Sequence, residues 1–512
     1  MKRFLRCTAF LLVVAMLLVM GVACKKNGGD EATDTTTAEN AATTTASGEK
    51  PPNDRDDLPD DLDFGGKVFT IYSRVQPQAA GEFFQESRDG GVIAEAVFDR
   101  NAKVKERLSC RIENKEVSGN TNDDTMLTEI TAMVQGGTAE YQILTTAGYQ
   151  MCTLSYNGLL VNYNDLEYVD LNKDYYSQGY NRALSAGKAQ YLATGTFTLG
   201  YYRYLMVNLF NKKMFAEKGV EEPYQLVRDQ KWTFEAMANM VKLFYNDNNG
   251  DGNHDNEDTY GYVLFTGPDS SFTDGFMSAC NLRVLSKDSN NYYTIDINQG
   301  RFSDAIDEML GLIFNSGTLS GKNLSHEITY GKFSNSTAAM ITTRLYGVEQ
   351  EEIIKVGQTD KYGILPIPKM DEAQEDYISY VQDQCFLFGL PVTLGGKTLV
   401  EVSQFFEAFA CESYHTVRPA YYDKALSLRY SYDTPSGEML NLIDSHVYMD
   451  PVNVYLTSGF AAFTTSSLRP IFASGQNTIS SQLASAVNKG ALKDQVDKMN
   501  EAYEKIYNTQ HP

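Results

Sequence analysis

Lys67-Val-Phe-Thr-Ile-Tyr-Ser73 decides the fold: the run is mostly β-branched and aromatic, follows Phe64-Gly65-Gly66, and reads as a strand. After a loop containing Gly and Gln, Val92 to Leu108 places Ile93, Val97, Val104 and Leu108 close to one helical face. Arg111 to Val117 reads as a second strand, Asp123 to Val134 as a helix capped by Asp123 or Asp124, and Tyr141 to Thr146 as a short third strand. Strand, helix, strand, helix, strand predicts an α/β body with a parallel sheet wrapped by helices. Ligands of such sheets sit at the C-terminal ends of strands. That singles out Ser73 and Arg74 after the first strand, and Gly148 and Tyr149 after the third.

Upstream of this body the chain has a different character. Lys2, Arg3 and Arg6 precede an apolar run from Ala9 to Val22, the length of a secretory signal and short for a membrane span. Its end, Gly21-Val22-Ala23-Cys24, resembles the lipobox of bacterial lipoproteins, with Gly21 where leucine is usual. The resemblance implies removal of residues 1–23 and a lipid on Cys24; ordinary secretion with a stray cysteine is the alternative. Residues 24–60, with Thr35-Thr36-Thr37 and Thr43-Thr44-Thr45 among polar residues, hold little to bury and read as a disordered tether. About 36 such residues span roughly 30–35 Å.

The chain has 512 residues and a net charge of −22, and residues 1–23 carry three basic and no acidic side chains, so the chain from Cys24 carries −25. Such a field argues against nucleic acid and anionic membrane surface as partners. Beyond Cys24, the cysteines Cys110, Cys152, Cys280, Cys385 and Cys411 are widely spaced with no CxxC pair, which reads as buried free thiols and not a thiolate metal site. Three motif matches fail on their context. Ser185 to Lys188 matches Ser-x-x-Lys but lies in a hairpin turn at Ala186-Gly187, without its companion motifs. His326-Glu327 lacks the second histidine of a zinc-protease helix, and Gly395-Gly396-Lys397-Thr398 has Pro391 where a phosphate loop needs glycine.

Asn208-Leu-Phe-Asn-Lys-Lys-Met-Phe-Ala-Glu-Lys-Gly219, Glu222-Pro-Tyr224 and Lys231-Trp-Thr-Phe-Glu235, then Tyr362-Gly-Ile-Leu-Pro-Ile-Pro-Lys369 and Arg418-Pro-Ala-Tyr-Tyr422, resemble the family-1 extracellular solute-binding lipoproteins of sugar-type ABC importers. The similarity runs from Phe64 to about Tyr503. It implies a two-lobed, periplasmic-binding-protein-like α/β fold of the class II type, with hinge strands and a ligand cleft between the lobes. The implied division is 61–196 with 363–420 as the N-terminal lobe and 197–362 with 421–512 as the C-terminal lobe. Ile364 to Pro368 would recross to the first lobe, and Tyr380 to Phe388 would be an inner strand whose Gln382, Asp383 and Gln384 line the cleft. Thr337 to Thr343 would deliver a ligand-facing loop, Arg344-Leu345-Tyr346, and Gly459, Phe460 and Phe463 would face the second lobe's side. Arg301 to Phe314, Leu399 to Cys411, Glu438 to Ser445 and Ile479 to Tyr507 read as helices.

Within this region Asp247-Asn-Asn-Gly-Asp-Gly-Asn-His-Asp-Asn-Glu-Asp258 has oxygen-bearing residues at positions one, three, five, nine and twelve and glycine at six, the spacing of an EF-hand loop. Asp247, Asn249, Asp251 and Asp258 would offer side-chain oxygens to Ca²⁺, Asn253 its carbonyl, and Asp255 a direct or water-borne contact. Position twelve is Asp instead of Glu, and a strand follows instead of a helix, so the expected role is structural. A solvated acidic turn is the alternative.

The resemblance implies a non-enzymatic, lipid-anchored, monomeric receptor on the outer face of the cell membrane that passes a sugar or oligosaccharide to ABC permease subunits. The cleft candidates are Arg74, Gln382 and Asp383 for polar contacts, and Tyr149, Tyr201, Tyr346 and Phe460 for stacking on sugar rings. A surface glycan hydrolase and a receptor for a non-sugar solute such as a peptide remain open at this point.

Overall fold

The computed structural model describes residues 52–75, 81–118, 124–267, 270–422, 433–455, 467–488 and 490–512. Cys24, residues 25–51 of the expected tether, and Gly459, Phe460 and Phe463 therefore lie outside the described residues. Residues 52–60 correct that expectation: Leu58 is buried, Asp56 pairs with Arg107 at 2.7 Å and Asp57 with Lys173 at 2.7 Å, so this stretch packs on the body. The strands are β1 (Val68–Val75), β2 (Arg111–Ser118), β3 (Ile143–Ala147), β4 (Met206–Asn211), β5 (Tyr260–Phe265), β6 (Leu285–Lys287), β7 (Tyr293–Ile295), β8 (Thr318–Gly321), β9 (Ala338–Arg344), β10 (Tyr362–Leu365) and β11 (Phe386–Gly389).

Two sheets organise the body. The first has the order β11-β3-β1-β2. Its β1 runs parallel to both β2 and β3, with Ile71 opposite Asn114 and Ile143, as the strand-helix alternation predicts. Helix α1 (Val92–Leu108) buries Val97, Val104 and Leu108 beneath it. Helix α2 (Thr125–Gln135) and helix α3 (Gly148–Tyr156) follow β2 and β3. The second sheet has the order β10-β4-β9-β5-β8. Its β5 is parallel to β8 and β9, while β4 is antiparallel to β9 and β10. Trp232, fully buried, donates its indole N–H to the Pro366 carbonyl at 2.9 Å and pins the exit of β10.

Two segments join the sheets side by side. Ala193 bridges Phe388 and Leu205 bridges Val381, both antiparallel. Met206 N–H donates to the Tyr380 carbonyl and Gln382 N–H to the Tyr204 carbonyl, each at 3.0 Å. The expected division of the chain needs correction here. β10 pairs with β4 in the second sheet, Ile364 opposite Leu209, so the return crossing falls after it, between residues 366 and 385. Gln382 to Cys385 is a turn and not part of a strand, closed by Cys385 N–H on the Gln382 carbonyl at 2.9 Å.

Helix α4 (Gln178–Leu184) and helix α5 (Leu199–Arg203) precede the first crossing. Helix α6 (Gly396–Pro419) packs on α1, with the Arg100 guanidinium 4.0 Å from the Phe409 ring centroid. The expected helix 479–507 is two helices, Ile479–Asn488 and α7 (Ala491–Gln510), separated by Gly490 at φ 69°. α7 is also not confined to the second lobe. Its Tyr503 hydroxyl meets Ser155 Oγ at 2.8 Å and Gln510 donates to the Leu160 carbonyl at 2.9 Å, both on the first side. The five cysteines are free and buried, as expected. Among the described residues no helix is long and apolar enough to cross a membrane.

Candidate functional site

Arg74, the last but one residue of β1, is only 3% exposed. Its Nη1 donates to the Tyr149 hydroxyl at 3.3 Å and to Gln150 Oε1 at 3.5 Å. Both partners stand on the first turn of α3, directly after β3, and Thr146 Oγ1 donates to the same Gln150 oxygen at 2.8 Å. The turn at Gln382–Asp383 comes down on this helix start. A Cβ at Gly148 would stand 2.9 Å from the Asp383 carbonyl oxygen, so only glycine allows the approach.

From the second sheet, β9 delivers Arg344. Its Nη1 donates to Gln382 Oε1 at 3.1 Å, and its guanidinium lies 5.5 Å from the Tyr204 ring centroid. Arg344 Nε is buried without a hydrogen-bond acceptor among the described residues, an exception that calls for a partner. Burial pushes the Tyr204 hydroxyl above its ordinary value, and both Arg344 and Arg74 pull against that shift. Asp383 is pushed up to about 7, first by burial and then by the charge of Asp274, while Arg469, Arg344 and Arg74 pull it down. Asp274 is itself committed to Arg469, through Nε at 2.9 Å and Nη2 at 2.6 Å. Behind Arg344, His326 stacks on Phe272 with centroids 4.5 Å apart, and burial together with Arg344 holds its imidazole down to about 4.

Of the sequence candidates, Arg74, Tyr149, Gln382 and Asp383 come together here. Tyr346 stands apart, half-buried, with the Arg203 guanidinium 6.0 Å from its ring centroid and paired to Glu349 at 2.7 Å. Tyr201 is a correction. It is 1% exposed, its hydroxyl meets Ser177 Oγ at 3.1 Å, and its ring packs edge-on to Tyr202, so it belongs to the core. Tyr204, just past the end of α5 and itself fully buried, is the tyrosine that lies beside Arg344. Phe460 lies outside the described residues. The sequence placed Arg344 in the expected ligand-facing loop without singling it out as a contact, and Tyr204, Gln150, Asp274 and Arg469 were not among its candidates. A polar residue ending each apolar strand was the available signal for Arg344, as it was for Arg74.

The acidic loop folds on itself. Asp247 accepts from Gly250 N–H at 2.6 Å and from Gly252 N–H at 2.9 Å, and Asn249 Oδ1 accepts from Asp251 N–H at 3.1 Å. Asp251 accepts from Asn253 N–H at 2.7 Å, and Asp255 from Glu257 N–H at 2.8 Å. Asp258, fully buried, accepts from Asn248 N–H at 3.2 Å and from the Tyr245 hydroxyl at 3.3 Å. Among the described residues, no three His, Cys, Asp or Glu side chains converge as a metal site. Gly252, sixth in the loop, has the φ of 74° that the tight turn needs.

Two guanidiniums, a carboxyl, two amides and two tyrosines drawn from both sheets and the return crossing form a largely buried polar cluster, with the chemistry to donate to and accept from paired hydroxyls and to cover an apolar face. Solved structures of similar shape share this architecture. A cyclo/maltodextrin-binding protein solved with maltotetraose matches with a TM-score of 0.52 at 15% identity, over 89% of this chain and 98% of its own. The chain has the fold of these binding proteins. A Rhizobium etli sugar transporter protein in an open conformation matches at 0.52 and 16% identity, over 85% and 99%. The galacto-N-biose/lacto-N-biose I-binding protein of a Bifidobacterium longum ABC transporter matches at 0.52 and 12%, over 88% and 98%. No family model and no curated protein matches the sequence. The two sheets and the paired crossings between them are the two-lobed architecture of that fold.

Proposed function

We propose that this protein is an extracellular solute-binding protein that captures a carbohydrate between its two lobes and delivers it to the permease subunits of an ABC importer, acting as a monomer and not as an enzyme. The observation that carries the reading is the convergence of Arg74, Tyr149, Gln382, Asp383, Tyr204 and Arg344 at the hinge side of both sheets. Sugar hydroxyls present donor and acceptor pairs that a guanidinium and a carboxylate satisfy, and the Arg344 Nε is a donor in need of an acceptor. Calorimetric titration with a panel of oligosaccharides tests it: saturable binding of at least one is expected. Response to peptides alone contradicts the carbohydrate assignment.

The hydrolase alternative needs two carboxyls set across a bond. Asp383 and Asp274 do sense each other's charge, but Asp274 is held by both branches of the Arg469 guanidinium, which favours a positioning role. Ligand recovered intact after long incubation supports the receptor; shortened oligosaccharide supports the hydrolase.

Attachment through a lipid on Cys24 belongs to the same proposal and rests on the lipobox-like sequence. Expressed in a bacterium, the wild type should partition with membranes and Cys24→Ala with the soluble fraction. Structural Ca²⁺ binding by the 247–258 loop rests on the ligand spacing and the Gly252 turn, and would need Asp247, Asp251 and Asp258 to exchange loop N–H partners for the ion. A melting temperature that rises on adding calcium and falls with chelator supports it; no change contradicts it.

A further inference from the structure

A cavity of about 460 Å³ lies beside the crossings and shares no described lining residue with the cleft. Its walls include Gly179 and Arg182 of α4, Arg283 and Lys287 of the β6–β7 hairpin, and His446 and Tyr448. Among the described residues no acidic side chain lines it, in a chain whose net charge is −22. The wall is tightly built: a Cβ at Gly179 would stand 2.0 Å from the Val447 carbonyl oxygen.

Each basic group is braced by its surroundings. Arg283 lies 4.2 Å from the Tyr448 ring centroid and donates through Nε to Asn281 Oδ1 at 3.2 Å. Lys287 rests on the Tyr293 ring and donates to the Ser185 carbonyl, and burial pushes its ammonium down to about 6. His446 is held from the other side, 3.5 Å from Asp376 and 2.8 Å from Ser445 Oγ. Asp450, fully buried beneath the hairpin, accepts from Val284 N–H at 2.6 Å and Leu285 N–H at 3.3 Å, and Asp288 acts on Lys287 from outside the lining. Arg182 closes the exposed side. Arg182 and Arg283 stand in the wall with no carboxylate lining the cavity among the described residues, which raises the local potential, and arginine forks match the geometry of carboxylates and phosphates.

We propose that this cavity is a second ligand site, separate from the cleft, that takes a small oxyanion, a phosphate or carboxylate group on a compact body, with Arg182, Arg283 and Lys287 as its charge partners. The occupant ties α4 to the β6–β7 hairpin, so it stabilises the folded chain. The site does not depend on what the cleft binds.

Calorimetric and thermal titration of the full chain with inorganic phosphate and, separately, with citrate tests the proposal, with ionic strength held constant by chloride. Saturable binding of at least one anion is expected, with a raised melting temperature. Phosphate alone assigns a phosphorylated ligand and citrate alone a carboxylated one. Arg182→Gln, at an exposed position that leaves folding intact, should weaken binding about tenfold or more, and Lys287→Met likewise. No saturable binding of either anion, or wild-type affinity in both variants, overturns the proposal.

Discussion

Arg344 reaches the end of β9 with an aromatic ring beneath it, one amide oxygen from Gln382, and a buried Nε that lacks an acceptor. A bound hydroxyl that accepts from it gains a charge-assisted hydrogen bond, about 1.5–3 kcal/mol. Arg344→Ala should therefore weaken oligosaccharide binding by about tenfold or more in calorimetry, and Arg344→Lys should recover only part, since an ammonium lacks the planar fork. Unchanged affinity in Arg344→Ala would remove it from the site. Asp383 makes a different prediction. Its carboxyl, pushed up to about 7 from the ordinary 3.8, keeps a proton in the folded chain that the unfolded chain has already released. Between those values the folded state holds the extra proton, so this group's contribution to stability falls as pH rises. Asp383→Asn removes that dependence. The melting-temperature difference, variant minus wild type, should grow from about pH 5 to about pH 8; a constant difference would contradict the assignment.

Among the elements, the short helix α5 sets the angle at which the chain leaves the first sheet, and one side chain caps it. Glu82, 2% exposed, accepts from Leu199 N–H at 2.7 Å, Gly200 N–H at 3.2 Å and the Thr198 hydroxyl. Glu82→Ala leaves these donors buried and unpaired, and a loss of about 2–3 kcal/mol is expected in urea melts. A loss within a few tenths of that of a surface control would show that the cap is dispensable. The first sheet was legible in the sequence because β1 and β3 are apolar runs and α1 carries a helical period, while the mostly polar β2, with only Ile112 and Val117 apolar, was placed by the alternation of strand and helix around it. The Gln382 turn was not, because four polar or turn residues ahead of Phe386 look like the start of the same strand until Gly148 and Tyr204 are seen to hold them. Strand β10 was assigned to the wrong sheet for a related reason. Tyr-Gly-Ile-Leu is apolar on both faces, and such a run does not say which neighbour it will pair with. Tyr201 lies within that short helix and Tyr204 at its C-terminal cap, both buried, and only the packing shows that Tyr204 is the one beside Arg344.

Across the whole molecule, residues 52–512 group as one compact unit. A chain beginning at Pro52 should fold with an unchanged melting temperature and bind the same sugar with the same affinity; a drop in either would show that the N-terminal segment takes part in the body. The carbohydrate site itself can be located in solution by hydrogen exchange with and without the tightest-binding oligosaccharide. Slowed exchange is predicted at the ends of β1, β3 and β9, at the start of α3 and in the turn at residues 382–385. Protection confined to other segments, with these unchanged, would contradict the placing of the ligand between the two sheets.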